Sequence, residues 1–143
     1  MSQVATVVAQ QTLQFDVPGA APNVTRVFVT TGIAQFSLQV FGQSANQASQ
    51  SDSIRLLVDP VLAPGQFRKS TAMVSFANVQ HGSSTVVGEF PFSSWSIDDI
   101  SSTLDDESGK VQLRFDVTVF TRGTQSSTTL QSVAFQVTSI AAL

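Results

Sequence analysis

Five of the ten acidic residues lie within ten positions: Asp98, Asp99, Asp105, Asp106 and Glu107. Hard cations such as Ca²⁺ need several oxygen ligands converging on one point, and a run of carboxylates is one way to supply them. The spacing is not that of an EF-hand loop, and the glycine of that loop is absent. A solvated acidic helix is the competing account. Asp98 and Asp99 suit the positive end of a helix, whereas Asp105 to Glu107 fall at its negative end, where they are mildly unfavourable. The helix is the preferred reading, and the five acids stand beside it as candidate Ca²⁺ ligands. No other cofactor is indicated.

His81 is the single histidine, so any Ser-His-Asp site must use it. Ser83 and Ser84 are close in sequence, but no Ser sits in a G-x-S-x-G elbow. A turn residue in Gln80-His81-Gly82-Ser83 is the simpler account. Glycosidase chemistry uses two carboxylates across one bond. The chain has two Glu, Glu89 and Glu107, and Glu89 alternates outward from Val86, Gly88 and Phe90. With no Cys there is no disulfide, zinc-thiolate site or thiol nucleophile. The chain is therefore expected not to be an enzyme.

Eleven Phe, one Trp and no Tyr make most aromatics core formers, since Phe lacks the polar handle that sugar platforms favour. Trp95 has that handle, but it is assigned to a helix start. Phe120 falls on the polar face of its strand, in line with Asp116 and Thr118. Phe120 and Phe41 are the candidate partner contacts, because an outward Phe points to a second layer or a partner. Asn23-Val24-Thr25 has the N-glycosylation pattern, which matters only in a eukaryotic secretory pathway.

The elements that must carry these residues are strands. Val111, Leu113, Phe115, Val117 and Val119 alternate with Gln112, Arg114, Asp116 and Thr118. That period of two belongs to a strand with one buried and one polar face. Shorter copies appear at Leu13–Val17, Ala34–Val40, Ile54–Val58, Ala72–Phe76, Val86–Phe92 and Val133–Val137. Val24–Thr31 is a further β run, which Gly32 is expected to break. Ser44–Ser53 reads as a loop, and His81-Gly82 as a turn. Ser96 and Asp99 are spaced as a helix cap, Trp95 and Ile100 as its hydrophobic staple, and Gly109 as its stop. One short helix is expected near residues 97–107. Eight or nine strands at ten-residue intervals predict a single antiparallel β-sandwich over residues 1–143. Jelly-roll winding is preferred to an immunoglobulin-like one, whose Cys-Trp-Cys hallmark is missing.

Charged residues are 12% of the chain, about half the usual share. The 20 Ser, 14 Thr and 15 Gln take their place. Such a surface suits close contact with copies of itself or with neutral glycans. At net −3, with its seven Lys and Arg scattered, the chain lacks the basic stripe that nucleic acid needs. No stretch is long and apolar enough to span a bilayer. No signal peptide is visible at Met1-Ser2-Gln3, and composition favours the extracellular space or a virion surface over cytoplasm. The expected function is a self-associating structural module of the coat, appendage or virion-surface type. A lectin-like carbohydrate-binding or adhesive module is the alternative, and a small hydrolase comes third.

Overall fold

The computed structural model describes residues 2–19, 24–42, 47–83 and 91–143. They form eight strands: β1 (Ser2–Val4), β2 (Thr6–Pro18), β3 (Val24–Phe41), β4 (Gln47–Val58), β5 (Phe67–Gly82), β6 (Phe92–Leu104), β7 (Val111–Arg122) and β8 (Ser127–Ala142). Sheet A has the order β1-β4-β7-β6 and sheet B the order β2-β3-β8-β5. All pairs are antiparallel except β1 with β4. The expected all-β sandwich is therefore what the chain forms.

The chain passes from one sheet to the other five times, at β1–β2, β3–β4, β4–β5, β5–β6 and β7–β8. β7 and β8 lie centrally in the two sheets. β4 and β3 flank them on one side, β6 and β5 on the other. The molecule is thus a three-ply antiparallel ribbon folded across its own core. Ala5 separates β1 from β2, is itself buried, and carries the N-terminal segment from sheet A to sheet B.

The core lies between the sheets. Ile54, Leu56 and Val58 of β4 and the five alternating apolar residues of β7 face Ala34, Phe36, Leu38 and Val40 of β3 and Val133, Phe135 and Val137 of β8. Phe36 and Phe115 meet across the sandwich edge to face, centroids 6.3 Å apart. Among the described residues no buried side-chain polar atom lacks a hydrogen-bond partner. Thr30 Oγ1 donates to the Asp59 carbonyl at 2.7 Å, and Asp52 accepts from Gln3 Nε2 at 2.8 Å.

Four local expectations are corrected. Residues 97–107 form no helix: β6 runs to Leu104, then a turn leads into β7. Of the helix-like signals, Trp95, Ser96, Asp99 and Ile100 lie in β6, and Gly109 belongs to that turn. The Asp105 carboxylate accepts from the Ser108 N–H at 3.0 Å and from the Ser108 hydroxyl, and Gly109 N–H donates to the Asp105 carbonyl at 2.8 Å. Gly109 has φ +72, a conformation that favours glycine. A side-chain oxygen that can cap a helix can also close a turn. Gln47–Ser53 is strand rather than loop, because β7 pairs with every residue of β4. Gly32 does not break β3, which is continuous from Val24 to Phe41. His81 and Gly82 end β5, opposite Thr128 and Ser127, and are not a turn. The Val86–Phe90 strand reading, Glu89, Ser84 and Asn23 lie outside the described residues.

The turn reading makes a prediction. Asp105→Ala removes two hydrogen bonds to a carboxylate, so a loss of about 1–2 kcal/mol is expected, read as a lower urea midpoint. An unchanged midpoint would deny Asp105 that role.

Candidate functional site

The outer faces of the two sheets differ in chemistry, and the difference follows from register. On sheet A, Asp98 of β6 stands directly opposite Asp116 of β7, and Arg114 directly opposite Arg55 of β4. Like charges in register repel, but the acidic and basic rows are successive outward positions on β7, so opposite charges neighbour each other diagonally. Ser53 Oγ donates to Asp116, Ser96 Oγ to Asp98 at 3.0 Å, and the Ser51 and Thr118 hydroxyls bond at 2.9 Å. A bulge between Asp98 and Ser101 leaves Asp99 at φ 52. Together Ser51, Asp52, Ser53, Asp98, Asp99, Asp116 and Thr118 line a shallow polar cleft of about 420 Å³.

This arrangement divides the five predicted acids. Asp98 and Asp99 line the cleft, joined by Asp116, which sequence spacing did not bring to notice. Asp105, Asp106 and Glu107 follow in the turn, about 20 Å further along an extended strand. Among the described residues no three His, Asp or Glu side chains are placed to hold a metal ion.

His81 is exposed, and its Nδ1 lies 3.1 Å from Thr128 Oγ1. Trp95 sits in a strand, not at a helix start. Opposite buried Val119, it has the inward parity of β6, away from the cleft residues Asp98 and Asp116. It therefore gives the cleft no aromatic platform. Phe120 is half-buried because Phe92 packs on it edge to face, centroids 5.9 Å apart. Phe41, at the end of β3, is 64% exposed and alternates outward from buried Val40 on sheet B.

Sheet B presents an apolar outer face. Its rows, read across β2, β3 and β8, are Val17–Thr25–Ala142, Phe15–Val27–Ile140, Leu13–Val29–Thr138, Gln11–Thr31–Gln136 and Ala9–Ile33–Ala134. On β5, Lys69, Thr71, Met73 and Ser75 continue the last four rows. Lys69 is the one charged residue in them. Leu13 (63%), Phe15 (53%) and Met73 (68%) are largely exposed. The inward side of β2 is polar instead. Thr12 bonds Thr30 at 2.9 Å, and Asp16 forms a two-pronged ion pair with Arg26 at 2.6 and 3.0 Å. The hydrogen bond from that guanidinium holds the Asp16 carboxyl below the usual carboxylate range, so it stays ionised to lower pH than a free Asp.

Reading the sequence registered that Leu13, Phe15 and Val17 share a side, but not that the side faces outward. The available signal was β3. Val24–Thr31 is apolar at Val27 and Val29 as well as at Phe28, so it lacks the polar face of a half-solvated antiparallel strand.

Fold and surface define a two-sheet antiparallel sandwich with one charged and one apolar outer face. Comparison of the chain with known protein families, with characterised proteins and with solved structures finds no match.

Proposed function

We propose that the protein is a non-catalytic structural module that assembles with copies of itself, as coat, appendage or virion-surface subunits do. The apolar outer face of sheet B carries this reading. Contiguous apolar patches of this kind mark interaction surfaces. Leu13, Phe15 and Val17 add nothing to the core of an isolated copy. At net −3, with Lys69 alone in the rows of that face, like copies meet with little repulsion. Phe41 belongs to the same face, and the Phe92–Phe120 pair offers a smaller contact on sheet A. The folded ribbon is read as jelly-roll-like, a winding that coat and lectin domains use.

Sedimentation at tens of micromolar, the range where weak protein contacts appear at about −6 kcal/mol, tests the reading. The parent is expected to sediment as an oligomer. Phe15→Asp is expected to reduce it to smaller species, placing the contact on sheet B. Loss with Phe120→Asp instead would place it on sheet A. A monomeric parent overturns the proposal.

The Ser51–Asp98–Thr118 cleft supports the second reading, a glycan-binding module, since its hydroxyls and carboxylates match sugar hydroxyls. Glycan-array binding by a monomeric parent, with and without chelator, would put that reading first.

A further inference from the structure

The two sheets have four edges, and three carry features that block pairing with another chain. β1 is three residues long. β5 has register shifts at Phe67/Lys69, Phe76/Asn78 and Asn78/Val79, and bears Arg68 and Lys69. β6 has the Asp98–Ser101 bulge, with Asp98 and Asp99 in it. Bulges, charges and shortness are the devices by which proteins protect sheet edges.

β2 is neither short nor, past the register shift between Val7 and Ala9, bulged. It spans 13 residues, and its register with β3 is unbroken from Ala9 to Pro18. Its one charged residue, Asp16, is already paired with Arg26. Among the described residues no strand pairs with its outer edge.

Resting on the assembly reading above, we propose that the partner at this edge is the β2 strand of a second copy. The two strands pair antiparallel about a two-fold axis and join two copies of sheet B into one continuous sheet. An antiparallel edge is self-complementary under two-fold symmetry, so one chain suffices for both sides. Leu13 is the midpoint of the regular stretch Ala9–Val17, so the register using all of it sets Leu13 opposite its own copy. Phe15 then faces Gln11, Val17 faces Ala9, and Asp16 faces Gln10. The two Leu13 side chains stand directly opposite each other on the outer face, and each is a diagonal neighbour of the other copy's Phe15, within reach of it. Such pairing supplies about ten main-chain hydrogen bonds, as many as a whole standard interface carries. Opposed residues in an antiparallel pair have Cα atoms about 4.5 or 5.5 Å apart, and both distances suit a disulfide.

The chain has no Cys, so single-cysteine variants report cleanly. Under mild oxidation Leu13→Cys is expected to convert most chains to a disulfide dimer. Ala9→Cys and Val17→Cys alone are expected to give at least ~5-fold less, because each lies about 27 Å from its own copy. Mixed together, those two are expected to cross-link to each other. Amide exchange on the parent guards against a variant that alters the strand. Alternate β2 amides should gain protection as concentration rises, because edge pairing adds hydrogen bonds and face-to-face stacking does not. An oligomeric parent with no Leu13→Cys dimer and no concentration-dependent β2 protection overturns this edge while leaving assembly intact. A parent that sediments as a monomer removes both. Protection of β2 by an added unrelated strand peptide, with none from self-association, would give the edge to a different partner and overturn the proposal.

Discussion

Phe115→Ala is expected to lower the unfolding free energy by about 3–5 kcal/mol, the range of buried Phe truncations. Phe115 is fully buried at the middle of β7, the central strand beside β4 and β6. Its ring meets Phe36 of the opposite sheet and pairs in register with Ile54. Removing the ring takes atoms from both halves of the core at once. β7 itself and the facing strands β3 and β8 are hydrogen-bonded on both sides and cannot move in to fill the space, so the cavity persists. Domains of this kind have total stabilities of about 5–15 kcal/mol, so the variant should unfold at much lower urea with an unchanged slope. Gln112→Ala, on the outer face of the same strand, is the control and should shift stability by no more than about 0.5 kcal/mol. Equal midpoints for Phe115→Ala and the parent would mean that the two faces of β7 had been exchanged.

Gly32→Val is expected to cost about 3 kcal/mol or more, at the upper end of overpacking changes. Gly32 lies in β3 between Gln10 of β2 and Phe135 of β8. A Cβ there would stand 2.3 Å from the Ala9 carbonyl oxygen and 2.6 Å from the Phe135 ring. Neither neighbour can yield cheaply. Ala9 contributes backbone at a bulge, and the Phe135 ring is packed in the core. The substitution therefore pushes β2 off the sheet or the ring out of its site. Loss of amide protection in β2 with the rest of the sandwich retained would identify the first response; a midpoint matching the parent would show that the space exists after all. The smaller Gly82→Ala change, whose Cβ meets nothing closer than 3.4 Å, should be nearly silent.

Gly32 also shows where the sequence is ambiguous. In a strand a glycine reads as weakness, and here it makes room for a ring from a strand one hundred residues away in the chain. Ser49, Ser51 and Ser53 read as loop because small polar residues have low strand preference, yet β7 dictates their conformation through pairing. Trp95, Ser96, Asp99 and Ile100 satisfy helix-start spacing and still lie in a strand, since local propensity is a weak bias that tertiary pairing overrides. The acidic cluster was legible as composition but not as geometry. Asp98 meets Asp116 only because β6 and β7 form a hairpin, and Asp105 leaves the group because the hairpin turns there.

By itself the sequence determined the class of fold and the inward faces of β3, β4, β7 and β8. Burying one side of a strand forces period-two alternation, and that pattern is written locally in residue types. The tertiary structure alone decided which strands are neighbours, which edges are left open, and that Leu13, Phe15 and Val17 face outward beside Val27, Val29 and Ile140. Alternation shows that a strand has two unlike sides. Which side meets the other sheet depends on partners distant in the chain, so the apolar face and the open edge at β2 exist only once those partners are in place.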